Sequence, residues 1–214
     1  GKSTLLKLMS GLLFPRRGQI RVGGHEPQRR AAGFLAGLYF VPEEFHLPNL
    51  SCRRLAKLQA GFYPRFSQKV FDEALDTFEL DPLQPFERMS LGGKKKAVIA
   101  FALATLTPVL LLDEPTNGMD IVARDQFRAL LRRPEQADRI VLISTHQAHD
   151  LEQVISRVLF VDQGRLALSA GMDALARALR VGVADAAAIE GMGEVLYREG
   201  IGAQTAYIAA RREG

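Results

Sequence analysis

The chain has 214 residues, 47% of them apolar and 24% charged, enough for a substantial core without disulfides. Its single cysteine, Cys52, excludes an internal bridge, and a net charge of +4 spread over pairs such as Arg16-Arg17, Arg53-Arg54 and Arg132-Arg133 excludes a nucleic-acid-binding stripe. The longest apolar run, AVIAFALATLTPVLLL, is broken by Pro108 and falls short of the roughly 20 residues that a membrane span needs. No signal peptide is expected in these residues.

In chain order, Ser3 to Ser10 is expected to form a helix opening directly on GKST and ending at Gly11. QIRVGG reads as a short strand running into a Gly-Gly turn, and LYFV as a strand closed by Pro42. From Ser51 to about Leu80 apolar residues recur at spacings of three and four, the pattern of helices. PLQPFERM reads as a loop, followed by a long apolar helix from Leu91 to Leu106.

The chain then alternates. VLLLD is a buried-type strand, MDIVARDQFRALLRR a helix, RIVLIST a strand and HQAHDLEQVI a helix, while RVLFVDQGRLAL reads as a hairpin turning at Gln163-Gly164. Apolar strands alternating with helices imply an α/β fold with a mostly parallel sheet covered on both faces. The helical stretch of about 48–106 interrupts that alternation as an inserted subdomain. Residues 173–214, rich in Gly and Ala, read as an extension without a motif.

Four groups of residues carry chemistry. In GKST, a lysine and a hydroxyl at a helix start suit phosphate and Mg²⁺ binding, although the same tetrapeptide also suits a capped amphipathic helix. PVLLLDEP delivers Asp113 and Glu114 to the carboxyl end of a buried strand, where ligand sites form in open α/β sheets. An aspartate there can hold Mg²⁺ through its water shell, and a glutamate can orient an attacking water. In MSLGGKKK, Ser90 and the following glycines offer a hydroxyl and bare amides at a helix N-terminus, or simply a helix cap with solvated lysines. His146 ends LISTH within reach of a phosphate, or serves structurally; Asp120 of TNGMD also suits a helix N-cap.

GKST, FVPEE, MSLGGKK, LLLDEPTNGMD and ISTH, in that order and spacing, resemble the nucleotide-binding subunit of an ABC transporter. The resemblance runs from Gly1 to about Met172. It implies a P-loop NTPase fold, with residues 1–172 as the ATPase domain. It also implies a start inside the Walker A loop, with the first strands and the adenine-stacking aromatic before Gly1. It assigns Gly1, Lys2, Ser3 and Thr4 to the phosphates of ATP. Ser3, Asp113 and Glu43 of the VPEE loop become Mg²⁺ ligands, Glu114 the general base and His146 the switch histidine, these last two as the catalytic pair. Ser90 and Gly92 become the signature loop facing ATP on a second nucleotide-binding subunit, identical or homologous, and Asp120 the D-loop aspartate at that interface.

The resemblance further implies a separate multi-span permease as partner, a place on the cytoplasmic face of the cell membrane, and no nucleic acid. Two residues depart from the family pattern. Leu91 stands where the signature loop has a glycine, and Glu43 stands where the family has a glutamine, losing an amide donor but keeping an oxygen ligand. The PEE loop and the short helical insert resemble the exporter-type branch. Two other functions remain open: a non-hydrolysing nucleotide-binding regulatory module, and a soluble ABC-type ATPase acting on DNA or the ribosome. The short helical stretch between Glu43 and Ser90, in place of long coiled coils, argues against the DNA-acting members, and one copy of the domain in place of two argues against the ribosome-acting ones.

Overall fold

In a computed structural model the chain forms two compact units, Gly1–Val154 and Ile155–Gly214. Residues 1–147, 151, 153–185, 189, 195–201 and 204–210 are described. The first unit is built on a parallel three-stranded sheet of β1 (Leu38–Val41), β2 (Val109–Asp113) and β3 (Ile140–Ser144), with β2 in the centre. Leu38 pairs with Val109, and Val109 with Ile140, so the three strands end together beside Asp113 and Ser144.

The centre strand is buried at all five positions, as its VLLLD sequence predicts. In contrast, β3 is only half-buried, with Ile140 exposed, because the described sheet pairs it along one side alone. Side chains alternate across β2. Val109 and Leu111 pack with Leu6 of helix α1 (Lys2–Met9), Phe34 of α2 (Ala32–Ala36) and Leu38. That puts Leu110 and Leu112 on the opposite face.

The expected helices of the insert are present as α3 (Cys52–Gln59), α4 (Gln68–Thr77) and α5 (Leu91–Ala104). Each begins with a serine whose side chain accepts an amide: Ser51 from Arg54, Ser67 from Val70 and Ser90 from Gly93. The apolar residues Ala97 to Ala104 make α5 buried almost all round, the mark of a core helix. Phe101 of α5 meets Tyr39 of β1, Tyr63, Phe66 and Phe71 of α4, with centroids 5.3–6.1 Å apart. This aromatic cluster ties the insert to the sheet, and burial raises the pKa of the Tyr39 phenol well above its ordinary value. Helix α6 (Ile121–Leu131) follows β2, capped by Asp120.

Two expectations change. The strand expected at QIRVGG is an isolated two-residue hairpin, with Val22 and His25 exchanging amide hydrogen bonds around Gly23 and Gly24. Both glycines have positive φ, and the segment finds no longer ladder among the described residues. Of the helix expected over HQAHDLEQVI, residues 148–150 and 152 lie outside the described residues.

The second unit contains the expected hairpin, β4 (Arg157–Asp162) and β5 (Arg165–Gly171), turning at Gln163 and Gly164, both in the left-handed region. The segment without a readable motif forms α7 (Met172–Ala178) and an antiparallel sheet of β6 (Leu179–Ala184), β8 (Gln204–Ala210) and β7 (Val195–Ile201), in that spatial order. Residues 1–172 thus take in the whole first unit and the β4–β5 hairpin of the second. Among the described residues no helix is long and apolar enough to cross a membrane.

Candidate functional site

The carboxyl ends of β2 and β3 face the first turn of α1, and a polar cluster forms between them. Helix α1 starts at Lys2 with no side-chain cap, leaving its first amides to whatever lies at that end. The hydroxyl of Ser3 donates to Asp113 Oδ1 at 3.1 Å, and Ser144 of β3 donates to the same oxygen. Thus a helix-start hydroxyl and a strand-end carboxylate, 110 positions apart, share one point. Asp113 is 2% exposed. Lys2 and Thr4 are exposed at the same helix end.

Glu114 follows immediately and is re-aimed by its backbone. Its φ of 46° is in the left-handed region, a strained place for a non-glycine residue and a recurrent feature of functional sites. Its amide donates to the Ser144 carbonyl at 3.0 Å, which keeps the turn attached to β3. The buried carboxylate is then held twice by residue 146: His146 Nδ1 lies 3.0 Å from Oε1, and the His146 amide donates to Oε2 at 3.4 Å.

The far side of the imidazole has a partner that the sequence did not disclose. Gln147 Nε2 lies 3.3 Å from His146 Nε2, and Arg124 Nη1 donates to Gln147 Oε1 at 3.1 Å. An amide N–H directed at Nε2 assigns the ring proton to Nδ1, the tautomer that donates to Glu114.

Glu43 does not stand in the Ser3–Asp113 contact. Its carboxylate accepts from Asn117 Nδ2 at 2.9 Å, linking the VPEE loop to the turn after Glu114. Asn117 is in turn held by its own amide to the Glu114 carbonyl at 3.3 Å. The lysine run is also not simply solvated. Lys96 donates to the Phe78 carbonyl at 2.8 Å, and Lys95 is 4% exposed, its ammonium donating to the Glu43 carbonyl at 3.1 Å. Burial lowers the Lys95 pKa, opposed by the charges of Glu43, Asp113 and Glu114.

Ser90, Gly92 and Asp120 are brought together elsewhere. With Leu91, Gly93 and Met119 they line an open cleft at the N-termini of α5 and α6. Ser90 Oγ accepts from Gly93 at 3.1 Å and Asp120 Oδ1 from Ala123 at 2.8 Å, so both are helix caps. Gly92 is packed so closely that a Cβ would come within 3.1 Å of the Gly118 carbonyl. Leu91 extends into solvent, 73% exposed, as the first residue of α5. Thr116, beside the Glu114 turn, keeps a buried hydroxyl without a partner among the described residues.

Oxygen donors from Ser3 and Asp113 fit a hard cation such as Mg²⁺, which takes few protein ligands and completes its shell with water and phosphate. Among the described residues no group of three His, Cys, Asp or Glu side chains forms an all-protein metal cage.

A lysine and a hydroxyl opening a helix, against an Asp-Glu pair ending the centre strand of a parallel sheet, define a P-loop nucleotide-binding domain. The family model described as ABC transporter matches residues 1–117. An ABC transporter ATP-binding protein of Caldanaerobacter subterraneus is 32% identical over 179 residues, covering 76% of this chain and 72% of that protein. A cobalt import ATP-binding protein of Salmonella typhimurium is 32% identical over 181 residues, covering 78% of this chain and 65% of that protein. Among solved structures, the ATP-binding subunit of an ABC transporter superimposes with a TM-score of 0.73 at 25% identity, covering 83% of this chain and 76% of that one. The chain belongs to the ABC transporter ATP-binding family.

Proposed function

We propose that this chain hydrolyses ATP as one nucleotide-binding subunit of a pair, driving a separate multi-span permease at the inner face of the cell membrane. The observation that carries the proposal is the meeting of Ser3 and Asp113, with the His146-held Glu114 beside them. In this reading Gly1, Lys2 and Thr4 engage the phosphates at the α1 N-terminus, where free amides and a cation favour negative charge. Ser3 and Asp113 would hold Mg²⁺, with Glu43 of the neighbouring loop as a further oxygen ligand. Bound Mg²⁺ would neutralise charge on the phosphates during transfer.

Glu114 takes the proton of the attacking water as general base. His146 orients that carboxylate from Nδ1 and answers to the γ-phosphate. Ser90, Gly92 and Asp120 face the partner subunit, whose nucleotide they complete. Their grouping in an open cleft, away from the Ser3–Asp113 contact, supports this division of labour. The exposed Leu91 side chain then meets the partner's nucleotide first, where a glycine would leave bare backbone.

Export is the direction we propose, from the likeness of the Glu43 loop and short insert to exporter-type subunits. Phosphate release and co-purification test the reading on the complete protein. ATP turnover lost in Glu114→Gln with nucleotide binding kept, and recovery together with a multi-span membrane protein, are expected. Unchanged turnover in Glu114→Gln refutes the assigned base.

A further inference from the structure

Lys95 occupies a place that the proposed chemistry does not explain. It lies on α5 one turn beyond the Ser90 cap, in register with the buried Val98, Ile99 and Ala102. That stripe faces the protein interior, so an ammonium is carried where an apolar side chain would be expected. Burying a cation is costly unless neighbouring groups repay it. Two kinds of neighbour offset part of that cost here. The Glu43 carbonyl accepts from Nζ at 3.1 Å, with the Phe45 ring 5.7 Å away. The carboxylates of Glu43, Asp113 and Glu114 add longer-range attraction.

The Glu43 loop is thereby gripped at two points from two elements. Lys95 of α5 holds its main chain, and Asn117, from the turn after Glu114, holds its carboxylate at 2.9 Å. Without the first grip, Glu43 itself is held among the described residues only by its side-chain contact to Asn117, which is weak alone. Without the second, the carboxylate is released while the backbone stays in place.

We propose that Lys95 is a positioning residue: its buried ammonium fixes the backbone of the Glu43 loop and, with Asn117, sets where the Glu43 carboxylate stands relative to Asp113 and Glu114. This deepens the ATPase reading and rests on it for its kinetic consequence, but not for its structural one.

Hydrogen exchange of amides 43–47 in the complete protein, without nucleotide, separates the two consequences. Lys95→Met is expected to speed exchange there about tenfold or more while the amides of β2 keep their rates, and Lys95→Arg to restore most of the protection. Unchanged exchange over 43–47 overturns the proposal. So does a loss spread equally over β2 and α5, which makes Lys95 a general core residue. Asn117→Ala, at a half-buried side chain, is the second variant. It should leave loop protection near wild type but lose it when combined with Lys95→Met beyond the sum of the single effects. Strict additivity overturns the two-point grip. In turnover, Lys95→Met should lower kcat about tenfold with KM for ATP within about twofold, and a raised KM at unchanged kcat overturns the role. A wild-type protein without ATP turnover would refute the hydrolytic reading and leave the exchange comparison to decide Lys95.

Discussion

Glu114 and His146 are joined twice: the imidazole Nδ1 lies 3.0 Å from one carboxylate oxygen, and the His146 amide donates to the other at 3.4 Å. A base held at both oxygens cannot swing away from the strand end, and its left-handed backbone aims it there in the first place. The ring is itself braced, through Gln147 and Arg124 of α6. The carboxylate that abstracts a proton in the proposed reaction is thus oriented by a chain of side chains reaching another helix.

Removing the ring tests that chain. His146→Ala deletes a donor to a charged group, worth about 1.5–3 kcal/mol, so kcat should fall about tenfold to a hundredfold. Gln147→Ala should produce a smaller loss in the same direction, because it frees only the far side of the ring. Steady-state phosphate release on the complete protein measures both. Wild-type turnover in His146→Ala would dissociate the orienting role from catalysis.

Lys2 stands exposed at the start of α1, beside amides that no side chain caps. Lys2→Ala removes a cation that would interact with phosphate in both ground and transition states. ATP affinity and kcat/KM should therefore fall together, each about tenfold or more. Nucleotide titration alongside turnover decides it, and a loss confined to kcat would contradict ground-state phosphate binding by Lys2.

Cys52 is 1% exposed at the start of α3, and burial pushes its thiol pKa up to about 11. Only the thiolate alkylates rapidly. The native protein should resist iodoacetamide at pH 8, and its labelling rate should keep rising with pH up to about 11. The folded pKa exceeds the unfolded one, so the stability it contributes is complete at neutral pH and lost as pH climbs through that value. Mass spectrometry of native and urea-unfolded samples gives the comparison, and fast native labelling at pH 8 would contradict the buried thiol.

Gly11 ends α1 with φ of 72°, and a Cβ there would lie 2.4 Å from the Pro27 carbonyl oxygen. Gly11→Ala combines left-handed strain with a backbone clash and should cost about 2–4 kcal/mol. Gly18 also has positive φ but open space around it, so Gly18→Ala should cost only the strain, about 1–2 kcal/mol. Chemical denaturation of the two variants should reproduce that order.

The elements that sequence made legible are those with strong local signals. Serine caps and three-four spacing announced α3, α4 and α5, and the unbroken apolar run of VLLLD announced the buried centre strand. QIRVGG misled because alternation and a Gly-Gly turn describe a hairpin of any length, and only available ladder partners decide how far pairing extends. The C-terminal sheet escaped because Arg180 and Gly182 interrupt the apolar residues of β6, Arg198, Glu199 and Gly200 those of β7, and alanines dilute β8, so none shows the unbroken β-branched run that marks a strand.

In the candidate site, residue identities were legible and their contacts were not. Local motifs marked Lys2, Ser3, Asp113, Glu114, Ser90 and His146 as candidates, and the order of those motifs carried the family resemblance from which their proposed roles come. Folding added Ser144 on Asp113, Gln147 and Arg124 behind His146, Asn117 on Glu43, and the burial of Lys95. In a run of three lysines nothing local distinguishes the middle one. Which of them turns inward follows from the rotation of α5 about its axis, set by the packing of Phe101 against Tyr39 of β1 and its other aromatic neighbours, with Val98 and Ile99 buried on the same helix. Sequence by itself determined which groups are available and on which elements they ride. Tertiary structure decided which of them touch, because hydrogen bonds between residues tens of positions apart depend on strand register and helix rotation, and those are settled only when the core closes.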